Sequence, residues 1–330
     1  MTGPVSGEVL IEARGVSKYF PMRGGTAVVR AVDGVDLLIR KGETLGLVGE
    51  SGCGKSTLGR LFLRLIEPTR GAIVHKGTDL THLGRRALRE RRRDLQIIFQ
   101  DPFGSLNPRK TVGAIIAEAY AIHRLGNRAE RARWVAETLD LVALPREAVH
   151  RYPHEFSGGQ RQRIGIARAL ALKPEFVVCD EAVSALDVSV QSQIINLMRD
   201  LQRELDLTYL FISHNFAVVR HISTRVAVMY LGRIVELAEA DTLFARPLHP
   251  YTQALLSAVP VSHPDQPRHR HALRGDVTSA TAVSKGCRFA PRCRFAEPRC
   301  GEIDPPLTEL PDGGAVACLL VLEGTPPVSG

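Results

Sequence analysis

Residues 43–65 read ETLGLVGESGCGKSTLGRLFLRL, and this stretch decides the architecture. Its opening, ETLGLVGE, is a short apolar run bounded by polar residues and Gly, the mark of a buried strand. Its close, KSTLGRLFLRL, carries a helical pattern. Between them Gly49, Glu50, Ser51, Gly52, Cys53, Gly54, Lys55, Ser56 and Thr57 match G-x-x-x-x-G-K-[ST] in the strand–loop–helix setting that the pattern requires. Glycines let successive backbone N–H groups curl towards one phosphate, and the helix start adds the positive end of its dipole. Lys55 is expected to reach the β- and γ-phosphates of a nucleotide, and Ser56 to ligate Mg²⁺. Cys53 stands at a variable loop position, where a small residue simply fits.

A second acidic element is expected at the end of a neighbouring apolar strand, and EFVVCDE (175–181) supplies it. Asp180 would hold Mg²⁺, and Glu181 would orient or deprotonate the attacking water. Cys179 reads as a buried strand residue. These elements specify a nucleoside-triphosphate hydrolase or transferase without saying which kind. The discriminating string is FSGGQRQRIGIARAL, from Phe156: Ser157, Gly158, Gly159 and Gln160 open a helix and so form a second anion site. One nucleotide needs one cradle. A second on the same chain makes sense if it serves a nucleotide held by another copy.

Outward from these motifs, strands alternate with helices, which implies an α/β fold with a largely parallel sheet. VLIEARGVSKYF and AVVRAVDGVDLLIR read as strands, as do EFVVCDE and TYLFISH, and RVAVMYLGRIVELA reads as two strands around a Leu-Gly-Arg turn. Residues 101–175 are richer in helical pattern. In SVQSQIINLMRDLQREL, Val190, Ile194, Leu197, Met198, Leu201 and Leu205 form one apolar stripe that reads as core packing. The chain has 330 residues, 44% of them hydrophobic, enough for a real core, and a net charge of +8 that suits an anionic partner. No run approaches the roughly 20 apolar residues of a membrane span, and MTGPVSGEVLIEARG has no apolar signal core. The expectation is a soluble, cytoplasmic chain, where structural disulfides are disfavoured.

With these motifs in order, residues 8–240 strongly resemble the ATP-binding cassette (ABC) family, which implies a P-loop NTPase with a RecA-like core and a helical subdomain. Gln100 in IIFQDP resembles the Q-loop glutamine that senses Mg²⁺ and the attacking water. FSGGQ resembles the family signature. Asp187 in SALD resembles the D-loop, and His214 in FISHN the switch histidine at the γ-phosphate. Tyr19 in VSKYF resembles the aromatic that stacks on adenine; simple packing is the other reading. Asn215 stands where relatives commonly carry Asp, and Ala182 where they commonly carry Pro, and neither removes a catalytic group. The implied organisation is an N-terminal tail (1–8), a nucleotide-binding core (9–100 and 176–240), a helical signature subdomain (101–175), a docking helix and linker (241–282) and a Cys-rich extension (283–330).

Within the family, FQDPFGSLNPRKTVG, YPHEFSGGQRQRIGIARAL, SALDVSVQSQIINLM and PLHPYTQALLSAVP resemble the ATPase subunits of oligopeptide and dipeptide importers. The resemblance implies two ATP molecules bound head to tail between this chain and a second ATPase subunit, the same or homologous. It further implies two membrane permease subunits, an indirect link to a solute-binding protein, no nucleic acid, and a place on the cytoplasmic face of the membrane. A nickel or other solute importer, and a soluble cassette ATPase acting on nucleic acid, are the rival readings. PLHPYTQALLSAVP reads as a Pro-started helix docked by Tyr251, Leu255 and Leu256. The basic run RRALRERRRD reads as a solvated helix face.

The tail GCRFAPRCRFAEPRC (286–300) with Cys318 reads as a separate module, remote from the nucleotide chemistry. Cys287, Cys293, Cys300 and Cys318 lack the C-x2-C knuckles of ordinary zinc ribbons, yet four thiolates suit tetrahedral Zn²⁺ or an iron–sulfur cluster; four unligated thiols is the third reading. The importer resemblance favours a [4Fe–4S] cluster, with Arg288, Arg292, Arg294 and Arg299 offsetting its charge.

Overall fold

In the computed structural model, which describes residues 7–22, 28–258, 285–311 and 313–324, apolar residues sort onto two sheets. Along β1 (Val9–Pro21) and β2 (Val28–Arg40) buried and exposed positions interleave, as a strand with one wet face requires. They pair antiparallel, burying Ile11, Val16, Val32 and Ile39. By contrast β3 (Thr44–Val48) is buried along its whole length, because both its faces are covered. It feeds helix α1 (Lys55–Phe62) through the Gly-rich loop. Strands β4 (Arg70–His75) and β5 (Thr78–Asp79) complete the first sheet in the order β2-β1-β4-β5.

The second sheet is built around β3. Strands β6 (Leu95–Ile98), β7 (Phe176–Asp180) and β8 (Thr208–Ile212) lie parallel on one side, and β9 (Arg225–Tyr230) lies parallel on the other. Strand β10 (Arg233–Glu239) turns back antiparallel on β9. Beyond it come β11 (Thr308–Glu309) and β12 (Ala315–Val316), giving the order β11-β12-β10-β9-β3-β8-β7-β6. The Cys-rich extension is therefore not a separate module. Its strand β12 pairs with β10, Val316 opposite Glu236, and so continues the main sheet.

Helices fill the rest in chain order. Only Leu88 of α2 (Arg85–Arg91) is buried, so the basic run is a solvated face. After α3 (Pro102–Ser105), α4 (Val112–Ile122) and α5 (Arg128–Leu141) start at Thr111 and at an Asn127–Glu130 capping box. They pack with α6 (Gly158–Leu170) through Ile116, Tyr120, Val135, Leu139 and Ile164. On α7 (Val188–Leu205) the buried residues are Ile194, Ile195, Met198 and Leu201, flanked by the half-buried Val190, Leu197 and Leu205. After α8 (Phe216–Ile222) and α9 (Ala240–Ala245), helix α10 (Pro250–Ser257) starts on Pro250 as its sequence suggests and buries Tyr251 completely. Short α11 (Leu319–Leu322) closes the described chain. The expected linker at 261–282 lies outside the described residues.

Phe211 sits in β8 with no exposed surface, whereas Ile122 at the end of α4 is 50% exposed. Phe211→Ala is expected to cost about 3–5 kcal/mol and Ile122→Ala under about 0.5 kcal/mol, read from urea-unfolding midpoints of the two variants.

Candidate functional site

The phosphate cradle forms where β3 ends. At Gly54 φ is 110°, and a Cβ there would meet the Ala31 carbonyl oxygen at 2.0 Å. At Gly49 a Cβ would meet the Met229 carbonyl oxygen at 2.2 Å. Only glycine lets the loop lie this close to β2 and β9. Ser51 and Gly52 are exposed at the crest of the loop, Cys53 is buried beneath it, and Thr57 is half-buried in the first turn of α1. The Lys55 ammonium lies within the curl, donating to the carbonyls of Gly49 (2.8 Å) and Glu50 (2.9 Å). Burial pushes the Cys53 thiol up, so it stays a neutral packing group.

Asp180 ends β7 and Glu181 follows it, beside the cradle. Ser56 Oγ donates to Asp180 Oδ1 at 2.6 Å. Two oxygens this close, one on the phosphate loop, suit neighbouring positions around one hard cation such as Mg²⁺. Glu181 takes a left-handed backbone (φ 50°), and its N–H donates to the Ile212 carbonyl at 3.0 Å. Such backbone strain is held where surrounding structure over-determines it. One Glu181 oxygen accepts from Gln100 Nε2 at 2.9 Å, and the other lies 3.4 Å from His214 Nδ1. Gln100 follows β6 and His214 follows β8, so three neighbouring parallel strands deliver these side chains to one point. That is where an open parallel sheet places its ligands.

Ser157 and Gln160 engage each other instead. The Ser157 hydroxyl accepts from Gln160 N (3.4 Å), and the Gln160 amide oxygen accepts from Ser157 N (3.1 Å), capping α6. Gly158 and Gly159 face Leu186 and Val190 at the start of α7. Asp187 caps that helix, accepting from Val190 N (2.9 Å) and the Ser189 hydroxyl (2.7 Å), and these bonds lower its pKa. Among the described hydrogen bonds none joins Ser157–Gln160 to Gly49–Thr57. Ser157–Gln160 and Asp187 lie together, at the starts of α6 and α7. Asn215 caps α8 through Ala217 and Val218 N–H, a task its amide oxygen performs as a carboxylate would, and Ala182 is buried.

The extension departs from expectation: it reaches the Gly-rich loop. The Tyr19 hydroxyl donates to Asp33, and Arg288 donates to Asp33 and to the Leu231 carbonyl. The Arg30 guanidinium lies 5.4 Å from the Tyr19 ring centre. Burial works to raise the Asp33 pKa, but the Tyr19 and Arg288 hydrogen bonds outweigh it and hold the carboxyl below its ordinary range. Arg292 grips both oxygens of Glu50, at 2.7 and 3.0 Å, and the Tyr251 hydroxyl accepts the Glu50 backbone N–H at 2.9 Å. Tyr230, Tyr251 and Phe289 form an aromatic cluster with ring centres 4.6–5.4 Å apart, which seats these groups. Asp33, Arg288, Arg292 and the Tyr251–Glu50 bond carry no local motif, and the sequence reading did not connect them with the cradle.

The four tail cysteines line one pocket of about 20 Å³, together with His249 and Phe289. All six cysteines of the chain are free thiols. Burial pushes Cys287 and Cys293 up to about 11. The metal expectation is not met in this arrangement. Among the described residues no three or more His, Cys, Asp or Glu side chains are set to hold a metal ion, and the pocket has room for about one water, too little for an eight-atom cluster. Nor are the arginines reserved for a cluster: Arg288 and Arg292 serve Asp33 and Glu50, and Arg299 pairs with Glu297 (2.8 Å) and Glu323 (2.7 Å).

Residues 32–184 match the family model described as ABC transporter, and residues 235–300 match the C-terminal region of oligopeptide/dipeptide transporters. The oligopeptide transport ATP-binding protein AppF of Bacillus subtilis (strain 168) is 53% identical over 321 residues, 95% of this chain and 98% of its own. The probable peptide ABC transporter ATP-binding protein y4tS of Sinorhizobium fredii is 52% identical, over 94% of this chain and 90% of its own. The dimeric ATP-binding cassette MJ0796 bound to ADP and Pi superposes with a TM-score of 0.64 at 28% identity, covering 70% of this chain and 99% of that one. Cradle, strand-end carboxylates and signature helix thus occur together on a chain with close full-length relatives. It belongs to the ATP-binding cassette family, among the ATPase subunits of oligopeptide and dipeptide transporters.

Proposed function

We propose that this chain hydrolyses ATP to drive uptake of di- and oligopeptides through two membrane permease subunits, paired head to tail with a second ATPase subunit. One observation carries the reading: relatives named for peptide transport match the chain nearly end to end, through the extension as well as the cassette. Among the described residues no helix is long and apolar enough to cross a membrane, so the chain would sit peripherally, on the cytoplasmic face, with a solute-binding protein supplying the permeases. The proposed division of labour is a core (9–100 and 176–240) that binds nucleotide, a helical subdomain (101–175) that completes a partner's site, and a docking helix with the Cys-rich extension beyond residue 240.

In this reading Gly49–Thr57 and Lys55 hold the phosphates and Tyr19 meets the adenine. Glu181 takes the proton of the attacking water, while Gln100 and His214, already on its carboxylate, fix its orientation. Ser56, Asp180 and Gln100 would hold Mg²⁺, which neutralises phosphate charge. Ser157–Gln160 and Asp187 serve a second subunit's nucleotide, a role supported by the dimeric form of MJ0796.

Glu181→Gln is expected to keep ATP binding while kcat falls about 100- to 10,000-fold; wild-type turnover would remove Glu181 as the base. In mixed dimers with a wild-type copy, Ser157→Arg is expected to silence the site across the interface, and full activity there would refute completion between subunits. For the tail, a [4Fe–4S] cluster, with Zn²⁺ as the alternative, has the convergence of four thiols as support and the small volume of their pocket against it. Anaerobic purification with iron and zinc analysis decides: iron near four per chain with absorbance near 400 nm supports the cluster, and metal-free, folded protein with normal ATPase activity rejects both.

A further inference from the structure

We propose that Arg292 is a positioning residue for the phosphate cradle, through which the Cys-rich extension sets the affinity for ATP. The argument begins with Glu50. It lies inside the Gly-rich loop, one residue after Gly49, where a polyanion is to bind. A carboxylate there repels phosphate unless its charge is cancelled. Both its oxygens are taken by the two terminal nitrogens of Arg292, at 2.7 and 3.0 Å. This fork geometry fixes a carboxylate in direction as well as in charge. The Arg292 side chain is 5% exposed and that of Glu50 22%, so the pair is shielded from solvent screening.

The grip has a second arm. The Glu50 N–H, one of the loop's backbone donors, goes to the Tyr251 hydroxyl at 2.9 Å. Residue 50 is thus held at backbone and side chain by residues 201 and 242 positions away. Tyr230 supports both: its hydroxyl lies 3.5 Å from Arg292 Nη1, and its ring centre 4.6 Å from that of Tyr251. Four residues before Arg292, Arg288 takes Asp33, the acceptor of the Tyr19 hydroxyl. The segment from Cys287 to Cys293 therefore has two sides. Its cysteines line the thiol pocket, and its arginines hold the two carboxylates that flank the nucleotide site.

The inference rests on Gly49–Thr57 being the ATP site, and a charge cycle separates the two claims. Binding of Mg·ATP to the full-length chain is measured by calorimetry for wild type, Arg292→Gln, Glu50→Gln and the double variant. If wild type does not bind ATP, the site reading itself fails. Given binding, Arg292→Gln leaves Glu50 uncompensated and is expected to raise Kd about tenfold, with kcat at saturating ATP within about twofold. Glu50→Gln leaves a spare cation beside the phosphates and is expected to lower Kd. The double variant removes both charges and should return Kd to within about threefold of wild type. A purely structural brace predicts the opposite pattern, with no rescue in the double variant. Unchanged affinity in Arg292→Gln, a double variant as weak as that single one, or weaker or equal binding by Glu50→Gln overturns the proposal. Should Arg292→Gln fail to fold, the sign of the Glu50→Gln effect still decides it.

Discussion

Strand β3 can go nowhere else. It is buried along all five residues, with β8 parallel on one side and β9 parallel on the other. A strand covered on every side fixes its last residue to within the packing tolerance of the core, and the next residue, Gly49, already lies against the Met229 carbonyl in β9. The curl of the phosphate loop is thus imposed from outside, by neighbouring backbone. The same sheet sets the chemistry: β6, β7 and β8 run parallel beside β3, so Gln100, Glu181 and His214 emerge at one end of the sheet as a consequence of strand order.

A site for a polyanion built from this sheet has an electrostatic difficulty. Asp33, Glu50, Asp180 and Glu181 all lie around it. Two of them have a chemical use in the proposed mechanism. Asp180 sits on the Ser56 hydroxyl, ready for a cation, and Glu181 is held by Gln100 and His214. Asp33 and Glu50 have none; Glu50 draws its cation from far along the chain, Arg292, and Asp33 adds Arg288 to its partners from earlier in the chain, Arg30 (3.6 Å) and Arg233 (3.9 Å). The division is plain in the partners: Asp180 and Glu181 are met by a hydroxyl, an amide and an imidazole, whereas Asp33 and Glu50 are paired with guanidiniums.

How far this was readable in the sequence follows from the range of each interaction. The cradle residues, Ser56, Asp180 and Glu181 follow from local strand–loop–helix grammar, so spacing alone points to them. Gln100 and His214 sit in short strand-end strings that carry no chemistry by themselves, and only family resemblance pointed to them. The stripe on α7 was legible because helical periodicity is local, although Ile195 joins the buried set from outside it. The Arg292–Glu50 pair spans 242 positions and has no periodic or motif signal, which is why the extension was read as remote. The cysteines mark the limit from the other direction. Their spacing brought them to one pocket, but spacing fixes neither the distance between sulfurs nor the volume they enclose.

The extension's contact with the cradle follows from the residue at position 50 and not from the fold. The MJ0796 cassette superposes on 70% of this chain with 99% of its own length, so a whole cassette closes without a counterpart to the remaining residues. The sheet, the capped helices and the strand-end carboxylates are complete by β10. What is not complete there is the charge at Glu50: its carbonyl is met locally by Lys55 and Cys53, but Arg292 on the carboxylate and Tyr251 on the N–H come from beyond residue 240, with Tyr230 backing them. A glutamate in a phosphate loop and an arginine some 240 positions later are then one feature, since the carboxylate without its partner would stand uncompensated at the point where negative charge is least tolerated. The pairing of β12 with β10 gives that arginine a fixed approach, because it anchors the extension to the same sheet that carries the loop.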